Sequence, residues 1–246
     1  MRQPTAHFWH NSPYMHFGNL RQLLLNPRPR ILWLACLLLV FQLAAAAEGT
    51  STVSFTFDFP GSQPEHYFIS VSSDGHATYE SDGKLSPESE ASDPFHLDFN
   101  LAPPTSTRVF ELAKRARYFE GKIDSGKRGL ASTGVKTLAF KDAHKSTEAT
   151  YNYSPMSAVQ ELTQFFQSLS TTLEFGRRLE YYHRYQKLAL DDELKRMEEM
   201  AKQDSLEELA AVAPILQQIA NDPSVINVVR ARAQRLLELS GTGGGR

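Results

Sequence analysis

The sequence predicts an α+β fold: a small antiparallel sheet with a packed helix, then a long helix and a C-terminal helical hairpin. Three observations predict it. Short runs between residues 53 and 153 alternate apolar and polar side chains. From Pro155 to Lys202 the apolar residues recur every three or four positions. Two further helical runs flank Asn221-Asp222-Pro223. Strands followed by helices, rather than alternating with them, give segregated layers.

Val53, Phe55, Phe57 and Phe59 alternate with Ser54, Thr56 and Asp58, the pattern of a half-buried strand ended by Pro60-Gly61. Tyr67, Ile69 and Val71 mark a second strand, and His76 to Glu80 a third. Ser73-Asp74-Gly75 turns the chain between them, because Asp-Gly readily adopts the backbone a tight hairpin needs. Asp82 to Pro94, rich in Ser, Glu, Pro and Gly, reads as a loop. Phe95, Leu97, Phe99 and Leu101 give a fourth strand, ended by Pro103-Pro104. One of Thr105, Ser106 and Thr107 is expected to cap a helix whose apolar face is Val109, Phe110, Leu112, Ala113 and Ala116. A basic loop from Lys122 to Gly134 precedes a hairpin of Val135–Phe140 and Glu148–Tyr153.

In the long stretch, Leu162, Phe165, Phe166, Leu169, Leu173, Gly176, Leu179 and Tyr182 line one helix face. Glu180–Arg184, Asp191–Lys195, Asp192–Arg196 and Glu198–Lys202 are spaced to pair along the wet side. Unbroken, roughly 45 residues would make a rod of about 65–70 Å, so a bend is expected near Gly176. Ser205 to Ala220 reads as a helix interrupted or kinked at Pro214. Ser224 to Leu239 is the last helix, with Ile226, Val229, Ala233, Leu236 and Leu237 inward, and 241–246 a disordered tail.

Two stretches resemble known families. Tyr67-x6-Asp74-Gly75-x3-Tyr79 resembles the strand-turn-strand core of a family of uncharacterised bacterial domains. In that family a Cys-Pro pair precedes the tyrosine, whereas Pro64 stands at the cysteine's place here. The resemblance implies further strands and a helix after the hairpin, and no known activity. Residues 205–239 resemble a single HEAT-type repeat, through Leu216-x2-Ile219-Ala220-x-Asp222-Pro223 and Val229-Arg230-x2-Ala233-x2-Leu236. Since one repeat cannot bury its own core, that likeness implies stacking on the long helix.

The domain reading is a signal peptide over 1–47, a sheet-plus-helix domain over 48–155, and a helical region over 156–240. Arg2, Arg21, Arg28 and Arg30 precede an apolar run starting at Ile31, and Ala45 and Ala47 satisfy the A-x-A rule. Cleavage is expected after Ala47 (or Ala46). The alternative is an inner-membrane anchor at 31–47, a run shorter than the ~20 residues a span needs. Either Met1 or Met15 is the start. Cys36, the sole cysteine, lies inside this run, so the exported part holds no disulfide, which fits a bacterial envelope. Loss of the leader leaves 22 basic residues against 28 acidic, a charge of about −6 without general attraction to nucleic acid. The expected compartment is periplasmic or extracellular, and the expected partner another envelope protein.

Catalytic and cofactor signals are faint. Gly121 to Lys127 fits the first part of a phosphate-binding loop, but Arg128 replaces the hydroxyl and a polar helix precedes it. It reads as a solvated loop. His66, His76, His96, His144 and His183 include no pair at metal-ligand spacing, so no metal or cofactor is expected. No Gly-x-Ser-x-Gly elbow is present. Arg115, Arg117, Lys122, Lys127 and Arg128 make a local basic patch. The aromatic cluster Tyr181, Tyr182, His183 and Tyr185 is the candidate contact surface for a partner or ligand. Together these observations favour a non-catalytic, protein-binding envelope protein. A small-molecule or lipid-binding module, with a pocket between sheet and long helix, is the alternative. A hydrolase-type enzyme assembled from distant residues is the third reading.

Overall fold

The computed structural model describes residues 50–85 and 93–242. The leader with its cleavage site at Ala47, residues 86–92 of the acidic loop, and residues 243–246 of the tail lie outside the described residues. The alternating runs become six antiparallel strands: β1 (Thr52–Asp58), β2 (His66–Ser72), β3 (His76–Ser81), β4 (Phe95–Asn100), β5 (Val135–Lys141) and β6 (Ser146–Tyr151). Their order across the sheet is β4-β3-β2-β1-β5-β6. Phe55 pairs with Ile69 on one side and Leu138 on the other, so β1 is central although it comes first. At the β2–β3 turn Gly75 has φ +91°, and its carbonyl accepts the amide of Leu101 (2.9 Å).

One face of the sheet is apolar and covered, as the twofold alternation requires. Helix α1 (Pro103–Arg115) and the long helix α2 (Ser157–Tyr185) pack there, and the Phe55 ring stacks on Phe166 at 5.2 Å. Every residue named above on the long helix face is buried. The other sheet face carries Asp58, His66, His76, Glu80, His96 and Asp98, all exposed. Beyond α2 come α3 (Leu190–Lys202), α4 (Ala213–Asn221) and α5 (Asn227–Thr242). The last two form the C-terminal hairpin against α2 and α3. Residues 48–155 and 156–240, distinguished in the sequence, share one hydrophobic core running from Val53 to Leu236.

The breaks differ from the expected ones, each for a physical reason. α2 is continuous for 29 residues through Gly176, and the chain turns at Gln186 (φ −143°, ψ 59°). Gly176 instead admits a neighbour: a Cβ there would lie 2.5 Å from Val212 Cγ1. The new start at Leu190 is marked by Asp191, Asp192 and Glu193 in the first turn of α3, where carboxylates face the positive end of the helix dipole. Pro103-Pro104 follows the end of β4 as expected and also opens α1, because proline's missing N–H is harmless in a first turn. Ala102, not a hydroxyl residue, holds the cap position, and its amide donates to Glu208 Oε1 (3.1 Å). Pro214 likewise begins α4 instead of kinking a longer helix. Ile226 precedes the first turn of α5 and is exposed, while Val225 takes the inward place. α5 also continues through Gly241 to Thr242, two residues into the expected tail.

Among the described residues none of the four acid–base pairs expected along the wet side forms, and several helix acids instead pair across elements. Arg178 Nε donates to Glu193 Oε1 (2.6 Å), joining α2 to α3. Arg232 and Arg235 both donate to Glu198 (2.7 Å each), joining α3 to α5, and Arg232 also reaches Asp191 (2.9 Å). Burial raises the Glu198 pKa, but the hydrogen bonds from the two arginines outweigh it and hold the carboxyl below its usual value. After α1 the chain makes an unusual turn: Arg117, Tyr118 and Phe119 have φ of 56°, 52° and 65°. Phe119 is buried by it, and the Tyr118 ring lies 4.4 Å from that of Phe140.

Candidate binding surface at the helix corner

The four residues singled out on the long helix occupy its last turn and have different environments. Tyr182 is only 7% exposed and belongs to the core. Its ring meets Tyr181 edge-on at 5.8 Å. Tyr181 is half-buried and leans on Tyr185 (5.2 Å), which is 65% exposed. The Arg184 guanidinium sits 5.7 Å from the Tyr185 ring. His183 points away from these rings and its Nε2 lies 2.9 Å from Asp222 Oδ2. Tyr181 and Tyr185 therefore share a surface, while Tyr182 is buried and His183 is held by Asp222.

Asp222 is the centre of the corner. It follows α4, and it reaches the α2–α3 junction through both His183 and Lys187, whose Nζ donates to Oδ2 (2.7 Å). Its other oxygen accepts the Ser224 hydroxyl (2.6 Å) and amide (2.9 Å). Lys187 also donates to Ser224 Oγ. Lys187, the Ser224 hydroxyl and amide, and His183 together hold the Asp222 carboxyl far below its ordinary pKa. The corner is thereby fixed, and it displays apolar side chains to water: Leu188 is 92% exposed, and Ile226 and Val228 lie just past Ser224 with about half their surface free. Periodicity passed over Leu188, which falls between helices, and set Ile226 inward because it took the last helix to begin at Ser224 rather than Asn227. The one sequence signal was Asn221-Asp222-Pro223, which marks a junction without naming what it touches.

Below the corner, α2 buries charges no pattern disclosed. Glu174 Oε1 accepts from Tyr79 (2.9 Å) and Ser81 (2.6 Å), and Tyr79 Oη is 3.0 Å from Ser170 Oγ. Glu174 Oε2 faces Arg177 Nη1 at 3.7 Å, and both side chains are 4% exposed. Gly83 closes over them, since a Cβ there would lie 2.9 Å from the carboxylate. Burial and the Glu174 charge push the Tyr79 phenol pKa well up, so it stays a proton donor.

The remaining candidates are structural in character. In the Gly121–Arg128 loop, Asp124 accepts the amides of Gly126 (2.6 Å) and Asn152 (3.0 Å), so a carboxylate already fills the cradle that a phosphate would need. His66 pairs with Asp58 (2.6 Å), while His76 and His96 lie beside Asp98. Among the described residues no group of three or more such side chains is placed to hold a metal ion. Among the described residues, too, no helix is long and apolar enough to cross a membrane. No family model matches this chain, and no curated protein sequence is similar to it.

Proposed function

We propose that this chain is a non-catalytic protein of the bacterial envelope that acts by binding another protein through the corner of Tyr181, Tyr185, Leu188 and Ile226. The carrying observation is Leu188, 92% exposed on a turn that ion pairs hold in place. Apolar side chains presented by a fixed turn lose little entropy on association, so their burial favours a partner. Arg184 makes no ion pair among the described residues, and its charge beside Tyr185 fits a partner with an apolar segment flanked by carboxylates. The leader-like sequence over 1–47 supports an exported location.

The test is crosslinking in living cells from a photoreactive residue at Leu188, with Asn100 on the exposed sheet face as the control position. The reading expects one crosslinked protein from Leu188, none from Asn100, and loss of the link when Tyr185→Ala and Ile226→Asp are introduced. Recovery of the chain uncrosslinked, or equal crosslinking from both positions, overturns it. Mass spectra of the purified chain would show whether it begins at Glu48, as cleavage after Ala47 requires.

A further inference from the structure

A second site lies further toward the start of α2, about two turns before the corner. The Ser62–Pro64 turn, α2 and α3 enclose a cavity of about 500 Å³, within the usual size for small-molecule sites. Phe57, Tyr67, Phe175 and Met200 supply apolar walls. At its mouth two guanidiniums are held by the same two supports. Arg178 and Arg196 lie 5.0 Å and 5.9 Å from the Phe175 ring. Both also bond to Glu193, Arg178 Nε to Oε1 (2.6 Å) and Arg196 Nη1 to Oε2 (3.4 Å). Glu193 is itself only 5% exposed, so it acts as an internal brace rather than a surface charge.

The bracing leaves donors unused. Arg196 engages Glu193 through one nitrogen of its fork and is otherwise 64% exposed. Lys84 reaches the cavity from beyond β3 and makes no ion pair among the described residues. Among the described residues the lining holds three cations, Lys84, Arg178 and Arg196, against two carboxylates, Glu174 and Glu193. Glu174 is further offset by Arg177, whose Nη1 is buried without a hydrogen-bond partner. In a protein whose formal charge is −2, this is a local excess of positive charge beside aromatic walls.

We infer that the cavity binds a small organic anion, its carboxylate or phosphate gripped by Arg196, Arg178 and Lys84 and its apolar body against Phe57 and Tyr67. Guanidinium forks match the planar carboxylate and the phosphate face, and a braced fork loses little freedom on binding. None of Tyr181, Tyr185, Leu188 and Ile226 lines the cavity, and the test below reads small-anion binding without any partner.

Benzoate, phenyl phosphate and inorganic phosphate would be titrated into the full chain by calorimetry. Benzoate or phenyl phosphate should bind at one saturable site, and Arg196→Ala and Lys84→Ala should each weaken it by about tenfold or more, the loss of one charge-assisted contact. Both residues sit at the mouth, and circular dichroism would confirm that the variants fold. No saturable binding of either organic probe, or unchanged binding in both variants, overturns the site. Inorganic phosphate binding as tightly as phenyl phosphate overturns the assignment of an organic ligand.

Discussion

Gly176 and Val212 meet where α2 passes under the turn before α4, with room for a hydrogen and not for a methyl: a Cβ at 176 would stand 2.5 Å from Val212 Cγ1. In an isolated helix Gly→Ala is favourable by about 1 kcal/mol. Here the clash decides the sign. Gly176→Ala should lower stability by about 1–3 kcal/mol, the usual cost of overpacking. Adding Val212→Ala should restore part of that loss, because the methyl then has space. Denaturant midpoints of the two single variants and the double variant measure this coupling, and strict additivity would show that the contact is not responsible.

Glu174 is the next position where burial sets the outcome. Its carboxylate accepts two hydroxyls and faces Arg177, so truncation leaves that buried guanidinium with Asp93 as its remaining acid. Glu174→Ala should cost about 3–5 kcal/mol, as does removal of one partner from a buried pair. Glu174→Gln keeps a carbonyl for Tyr79 and Ser81 and should cost clearly less. Urea unfolding of both variants checks the order, and equal losses would contradict it.

Arg117 is exposed at φ +56°, in a conformation that non-glycine residues adopt at a cost of roughly 1–2 kcal/mol. Arg117→Asn should therefore raise stability by about 0.5–1 kcal/mol, since asparagine tolerates this region. A higher thermal midpoint with an unchanged circular dichroism spectrum is the expected result.

Asp222 carries a pH dependence with a definite sign. Its folded pKa is lowered, so its contribution is fully present above the unfolded value of about 4 and is lost as pH falls through the lower folded value. The stability difference between wild type and Asp222→Asn should be constant from about pH 7 to 5 and shrink below about pH 4. A difference that grows on acidification would reverse the assignment. Unfolding curves across that range measure it.

The apolar elements were legible because burial acts through spacing. Val53, Phe55 and Phe57 alternate because a strand has two faces, and Leu162 to Tyr182 recur because a helix has a buried stripe. The Asp74-Gly75 turn was legible from its backbone demand alone. The helix boundaries were less so. Prolines at 103 and 214 and the acids at 191–193 were read as terminators or surface charge, although each also marks a helix start. Long-range chemistry left no local trace. Nothing near Glu174 announces Tyr79 or Ser81, more than ninety residues earlier, and nothing near Lys187 announces Asp222. For the same reason the exposed corner was only half legible: Tyr185 stood out by composition, while Leu188 became notable only once the turn existed.

The central position of β1 also sets an order of events. Its first hydrogen-bonding edge meets β2 within a few residues, but its second waits for β5, and Thr52 bonds to Lys141 across 89 positions. A chain emerging from its N-terminus can thus complete the β1–β4 meander while β1 still offers an open edge. Open edges recruit other strands, and long-range closure is slow. The bare interval ends only when residues 135–141 arrive. Chaperone capture during synthesis or transit should therefore be strongest for nascent chains that stop before Val135, and should fall once Lys141 is out.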